Sequence, residues 1–173
     1  MTQAFTHVAV FGKPRAEGIR EPLLEIARVV ESAGGQVMFD LATAENIGSN
    51  ERAGHTVHAI GKQADVAIVL GGDGTMLGIA RELAPFRVPL IGINHGRLGF
   101  MTDLALDQMA ETLPAMLGGR YETDHRFVLD AEVRRGGDVV HHAVALNDVV
   151  VSRGVAGGMV EYTARVDGVN MYN

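Results

Sequence analysis

The sequence predicts an α/β domain followed by the start of an all-β unit, and three observations carry that prediction. Short β-rich apolar runs alternate with helical periodicity through residues 1–120, the pattern of βα units around a mainly parallel sheet. Period-two alternation takes over in residues 121–173, as in antiparallel strands with one wet face. Glycine and aspartate turn signals separate the runs in both parts.

"HVAVFG" (His7 to Gly12) reads as a first buried strand. Leu23, Ile26, Ala27 and Val30 then recur at helical spacing behind Pro22, which suits a first helical turn, and Gly34-Gly35 supplies a left-handed stop. "QVMFD" reads as a second strand. Leu41 to Gly61 is polar and punctuated by glycine, and is expected to be loop or weak helix. "DVAIVL", a Gly-rich turn, a helix from Thr75 to Ala84 and "VPLIGIN" form a further strand-helix-strand unit, with Met76, Leu77, Ile79 and Leu83 as the helix's core face. Leu106 to Leu117 is helical and closes at Gly118-Gly119.

In the second part, "RFVLDAEV" sets Phe127, Leu129, Ala131 and Val133 against Val128, Asp130, Glu132 and Arg134. Arg135-Gly136-Gly137-Asp138 is a hairpin turn, and "VVHHAVALNDVVV" a long return strand. "MVEYTARV" alternates again before a turn at Asp167-Gly168.

Composition narrows the function. A formal charge of -6, with no Lys/Arg run longer than Arg134-Arg135, argues against a sequence-independent nucleic-acid or anionic-membrane surface. The 173 residues are 47% hydrophobic, enough for a core, and contain no cysteine, which excludes disulfides and thiolate chemistry. No apolar run is long enough to span a bilayer. These features predict a soluble cytoplasmic protein that takes a small ligand in a local site.

The candidate site is "GGDGTMLG" (Gly71 to Gly78). A glycine-rich strand-to-helix turn brings backbone N–H groups close to an anion, and the helix N-terminus adds partial positive charge. The stretch is no Walker A loop, because no Gly-Lys-Ser/Thr follows. Nor is it the full dinucleotide fingerprint, because Leu77 stands where the third glycine belongs. An acid in a phosphate loop is unexpected. One reading is a plain turn, with Asp73 or Thr75 capping the helix through a side-chain oxygen. The other is that Asp73 addresses the hydroxyl that attacks the phosphate, where orientation matters more than basicity because a carboxylate is a weak base at neutral pH. The stretch alone does not choose between them.

"GGDGT" resembles the phosphate loop shared by NAD kinases, diacylglycerol and sphingosine kinases and, more loosely, phosphofructokinases. "IGINHGRLGFMTDL" (Ile91 to Leu104) looks like the NAD kinase signature built on Gly-Ile-Asn and Leu-Gly-Phe, and lacks the Gly-Thr-Gly-Asn-Asp type stretch of a lipid kinase. "ALNDVVVSRG" (Ala145 to Gly154) resembles that family's Asn-Glu/Asp motif. By these three ordered motifs the chain resembles a bacterial-type NAD kinase.

The resemblance implies a Rossmann-like, phosphofructokinase-like nucleotide-binding domain (1–120) and an incomplete sandwich-like NAD-binding domain (121–173). It implies an alcohol-acceptor phosphotransferase that moves a phosphoryl group from ATP or inorganic polyphosphate, with Mg2+ or Mn2+, to the 2′-hydroxyl of the adenosine ribose of NAD, giving NADP. Asp73 would be the catalytic residue, with Asp73, Gly74, Phe100, Asn147 and Asp148 binding NAD, and Gly71, Gly72 and Thr75 forming the donor-phosphate loop. Asp148 stands where bacterial relatives more often have Glu, which shortens its reach. Lys13 and Arg15, after the first strand, and Arg97 are further phosphate candidates against the ordinary reading of solvated cations. His55 and His58, and His141 and His142, lack a third ligand at convincing spacing.

Family members are homo-oligomers, dimers or tetramers. The family's later Asp-Gly and Thr-Pro-Thr-Gly-Ser-Thr-like stretches would begin just after Asn173, so the chain is expected to be truncated within the second domain. Two alternatives stay open: a lipid-type kinase sharing only the Gly71–Thr75 loop, and a module that binds NAD without chemistry.

Overall fold

The computed structural model describes residues 5–48, 52–96, 99, 101–102, 104–152, 159 and 161–172. The first part builds β1 (His7–Gly12), α1 (Arg20–Ser32), β2 (Gln36–Asp40), α2 (Leu41–Ile47), β3 (Gly54–His55) and α3 (Val57–Gln63). It continues with β4 (Val66–Gly71), α4 (Asp73–Leu83), β5 (Leu90–Asn94), β6 (Leu104–Ala105) and α5 (Met109–Leu117). Six strands form one sheet in the order β3-β2-β1-β4-β5-β6, and every pairing is parallel.

A parallel sheet covered on both faces needs central strands that are apolar throughout, and β4 is buried at all six positions. Alternation along the strands divides the core. Val8, Val10, Ile68 and Leu70 face one way, onto Leu23, Ile26 and Val30 of α1, Ala44 and Ile47 of α2 and Leu113 of α5. Ala9, Phe11, Ala67 and Val69 face the other way, onto Met76 and Leu83 of α4 and Ile60 of α3. Each fully buried Leu, Ile or Val stabilises the fold by roughly 1.5–3 kcal/mol relative to exposure.

Helix α1 ends as its glycines predict. Gly34 takes φ +93°, and the amides of Gly34 and Gly35 donate to Glu31 O and Val30 O, each at 2.9 Å, which is a Schellman closure.

The segment from Leu41 to Gly61 corrects the expectation of a loop or weak helix: it holds α2, the short edge strand β3 and the start of α3. Side-chain caps explain both helices. Asp40 accepts from Thr43 N (3.2 Å) and Ala42 N (3.3 Å), and Thr56 from Ala59 N (3.2 Å), each satisfying amides that a helix start leaves open. Helix α4 begins at Asp73 rather than Thr75, and its buried residues are Met76, Ala80 and Leu83; Leu77 is only half-buried.

The second part forms two antiparallel pairs, β7 (Leu129–Arg135) with β8 (Asp138–Ala145), and β9 (Ala164–Val166) with β10 (Val169–Tyr172). The first hairpin closes on Gly136 (φ +60°) and Gly137 (φ +96°), the double positive φ that a tight hairpin turn requires. The return strand is shorter than the alternation implied: β8 stops at Ala145, and Val149, Val150 and Val151 lie exposed beyond it. On the expected inner face Leu129 and Ala131 are half-buried, but Phe127 is 80% exposed. The fold is therefore α/β followed by short antiparallel β structure. Among the described residues no helix is long and apolar enough to cross a membrane.

Candidate active site

The strand order reverses direction between β1 and β4. The chain leaves β1 for α1 on one face and leaves β4 for α4 on the other, so their carboxyl ends form a topological switch point, the position where doubly wound sheets take ligands. The Gly-rich turn fills this position. Lys13 N donates to Leu70 O (2.9 Å), which brings the loop after β1 against the last residues of β4.

Thr75 packs over the backbone of Gly71, where an added Cβ would lie 2.7 Å from Thr75 Oγ1 and 2.8 Å from its Cβ. Gly72 caps α4 in an extended conformation (φ -106°, ψ -174°), and its carbonyl accepts from Thr75 N (3.0 Å) and Met76 N (3.1 Å). The N-cap position is thus held by a residue with no side chain, and no N-cap side-chain hydrogen bond closes the turn. Among the described residues nothing packs against the position of a side chain at Gly72 or Gly74. Neither has positive φ, and a Cβ at either meets no atom of the described residues within 4 Å.

Asp73 is the first helical residue, where the helix dipole favours a carboxylate. It is half-buried, and its Oδ1 accepts from Met101 N at 3.0 Å, a charge-assisted bond 28 residues away in sequence. His95 N donates to Gly71 O at 3.3 Å. The "GINHGRLGF" stretch and the chain just after it are thus tied to "GGDGT" at two points. Asn94 itself is 4% exposed and turns the chain beyond β5 by accepting from Gly96 N (2.7 Å) through Oδ1.

The structure gathers Gly71, Gly72, Asp73, Gly74 and Thr75 in one turn. Phe100 and Arg97 lie outside the described residues. Asn147 and Asp148 sit exposed beyond β8, and among the described residues no hydrogen bond joins them to the turn. Lys13 and Arg15 are exposed on the loop after β1. Asn46 straps that loop by accepting from Arg15 N and donating to Lys13 O, both at 3.4 Å. Among the described residues no group of three His, Cys, Asp or Glu could hold a metal. Two of the flagged histidines have structural partners instead, His58 stacking edge-on to Phe86 and His142 bonded to Asp130. The contributions missed by sequence reasoning are the Met101 amide and Gly99, whose missing side chain leaves the space that the Asp73 carboxylate occupies.

Fold and site together define a doubly wound α/β domain with a glycine-rich, acid-bearing turn at its ligand edge. The family model for the ATP-NAD kinase N-terminal domain matches residues 8–121. The chain belongs to that family. Among similar proteins, the NAD kinase of Paraburkholderia phytofirmans is 49% identical over 173 residues, a match spanning 100% of this chain and 58% of that protein. That of Burkholderia multivorans is 51% identical over 169 residues, spanning 98% and 56%. The chain thus spans little more than half the length of these relatives. Yeast NADH kinase complexed with NADH is similar in fold, with a TM-score of 0.68 at 19% identity, covering 81% of this chain and 46% of that one.

Proposed function

We propose that the full-length protein is an NAD kinase, transferring a phosphoryl group from ATP or inorganic polyphosphate to the 2′-hydroxyl of the adenosine ribose of NAD. The observation that carries this reading is Asp73, held at the switch point by the Met101 amide beside two glycines that leave open space. Membership of the family and the names of the similar proteins support it.

In this reading the donor phosphates lie over Gly71 and Gly72 at the N-terminus of α4, where amides and dipole favour an anion, with Lys13 and Arg15 beside them. The ribose hydroxyl approaches past Gly74 to Asp73. Its oxygen forms the new bond to the γ-phosphorus, the bond from that phosphorus to the β–γ bridging oxygen breaks, and ADP leaves. The hydroxyl proton passes to the Asp73 carboxylate and then to water. Positioned proton acceptance of this kind contributes about 10²–10⁴ in rate.

Phe100, Asn147 and Asp148 are assigned to NAD, Phe100 to the adenine face and the amide–acid pair to base amines and ribose hydroxyls. The described residues do not fit a protein-built metal cage. Mg2+ or Mn2+ enters in this reading as the companion of the donor phosphates, the usual habit of Mg2+, and no step is assigned to it. The 1–120 and 121–173 units, a cytoplasmic setting and a homo-oligomer belong to the same proposal. The exposed Phe127, Val150 and Val151 supply apolar surface for further chain or a second subunit.

The test incubates the full-length protein with ATP, Mg2+ and either NAD or diacylglycerol. NADP formation supports the proposal. Phosphatidate formation would transfer it to a lipid kinase, and saturable NAD binding without either product would leave a binding module.

A further inference from the structure

We infer that Gly99 is a positioning residue, a bare stretch of backbone that reserves the volume in which the Asp73 carboxylate is held. A Cβ built on Gly99 would fall on that carboxylate: its three nearest atoms all belong to Asp73, with Cγ at 2.6 Å and Oδ2 at 2.7 Å. Two residues on, Met101 N donates to Asp73 Oδ1 at 3.0 Å. One short segment therefore shapes the carboxylate's surroundings twice, by a donor and by an absence. Met101 and Thr102 are themselves seated on β5 at Gly92, where a Cβ would lie 3.1 Å from Met101 O and 3.1 Å from Thr102 Cα. Thr102 behind it is fully buried.

The obstacle to a larger residue at 99 is the end of a side chain rather than backbone. A methyl there displaces the Asp73 side chain, which takes the carboxylate off the Met101 amide and out of line with an incoming hydroxyl. Misplacement by about 1 Å costs on the order of 10²-fold in rate. Gly61 offers the opposite case. A Cβ there would lie 2.5 Å from Phe86 Cγ and 2.8 Å from Cε2, so the half-buried ring, set edge-on to His58, must be displaced. Gly61→Ala is therefore a stability control that does not involve Asp73.

The inference rests on Asp73 as the acceptor-side carboxylate, and its test separates the two. In the full-length protein Gly99→Ala lowers kcat by about 10²-fold with the KM for NAD unchanged within about threefold, and costs only a few degrees of melting temperature. Gly61→Ala lowers the melting temperature and spares kcat. In an Asp73→Asn background Gly99→Ala adds no further loss of kcat, since the two changes act on one group. Retention of kcat within threefold by Gly99→Ala, or an equal further loss in the Asp73→Asn background, overturns the inference. If the unsubstituted protein forms no NADP, the functional reading fails on its own. Hydrogen exchange at the Met101 amide then still decides: Gly99→Ala must accelerate it as Asp73→Ala does, and unchanged exchange overturns the inference.

Discussion

Replacing Gly74 by alanine separates the demands of the fold from those of the ligand. Gly74 is the second residue of α4, has no positive φ, and a Cβ there meets no described atom within 4 Å. Glycine in a helix is less favourable than alanine by about 0.8–1.0 kcal/mol in an interior and by somewhat less near an end. Gly74→Ala should therefore stabilise the unliganded protein by about 0.5–1 kcal/mol, a rise of roughly 1–4 °C in melting temperature for a chain of this size. If the dinucleotide passes over this backbone to reach Asp73, the added methyl stands in its way. A tenfold weaker Kd for NAD, worth about 1.4 kcal/mol, is then the least expected. Thermal melts without ligand and calorimetric NAD titration of the same variant measure both quantities. A higher melting temperature with unchanged NAD affinity would refute the placing of NAD over Gly74. A lower melting temperature would refute the claim that the fold does not need glycine there.

Two further outcomes follow from individual side chains. Thr102 is fully buried, and its Oγ1 has no hydrogen-bond partner among the described residues, which costs about 1–3 kcal/mol. Thr102→Val should add about 1 kcal/mol of stability, seen as a higher denaturation midpoint at unchanged slope, and a destabilised variant would show that the hydroxyl is satisfied. Asp65 accepts from His7 N (2.8 Å) and Thr6 N (2.7 Å), and the His7 amide above all holds its carboxyl below the ordinary 3.8. Its stabilising contribution is present above that pH and lost as the pH falls through the lower folded-state value. Asp65→Asn should flatten the acid limb of the stability profile below pH 3.8, and an unaltered limb would contradict this.

The central strands were legible because burial on both faces makes β1, β4 and β5 apolar runs that punctuation isolates. The stretch from Leu41 to Gly61 was not. Asp40 ends β2 and caps α2 at once, α2 and α3 have seven residues each, and β3 has two, too few for any period to show. The return strand was overextended because Val149 to Val151 continue the apolar pattern beyond Asn147-Asp148, where pairing has already ended. At the site, Asp73 and its glycines stood out because side-chain identity carries the motif. The Met101 amide could not stand out, since a backbone donor has no residue signature and its partner is 28 positions away. Gly99 was visible as a letter in "GRLGF", but only the fold shows that the space it leaves belongs to Asp73.

The role of Asp73 is decided by comparing NADP formation by the full-length protein and its Asp73→Asn variant, with NAD binding measured on both. The first should form NADP from NAD and ATP, and the variant should bind NAD with similar affinity but turn over about 10²–10⁴ times more slowly. Equal turnover by the two proteins, or none by either, would contradict that role.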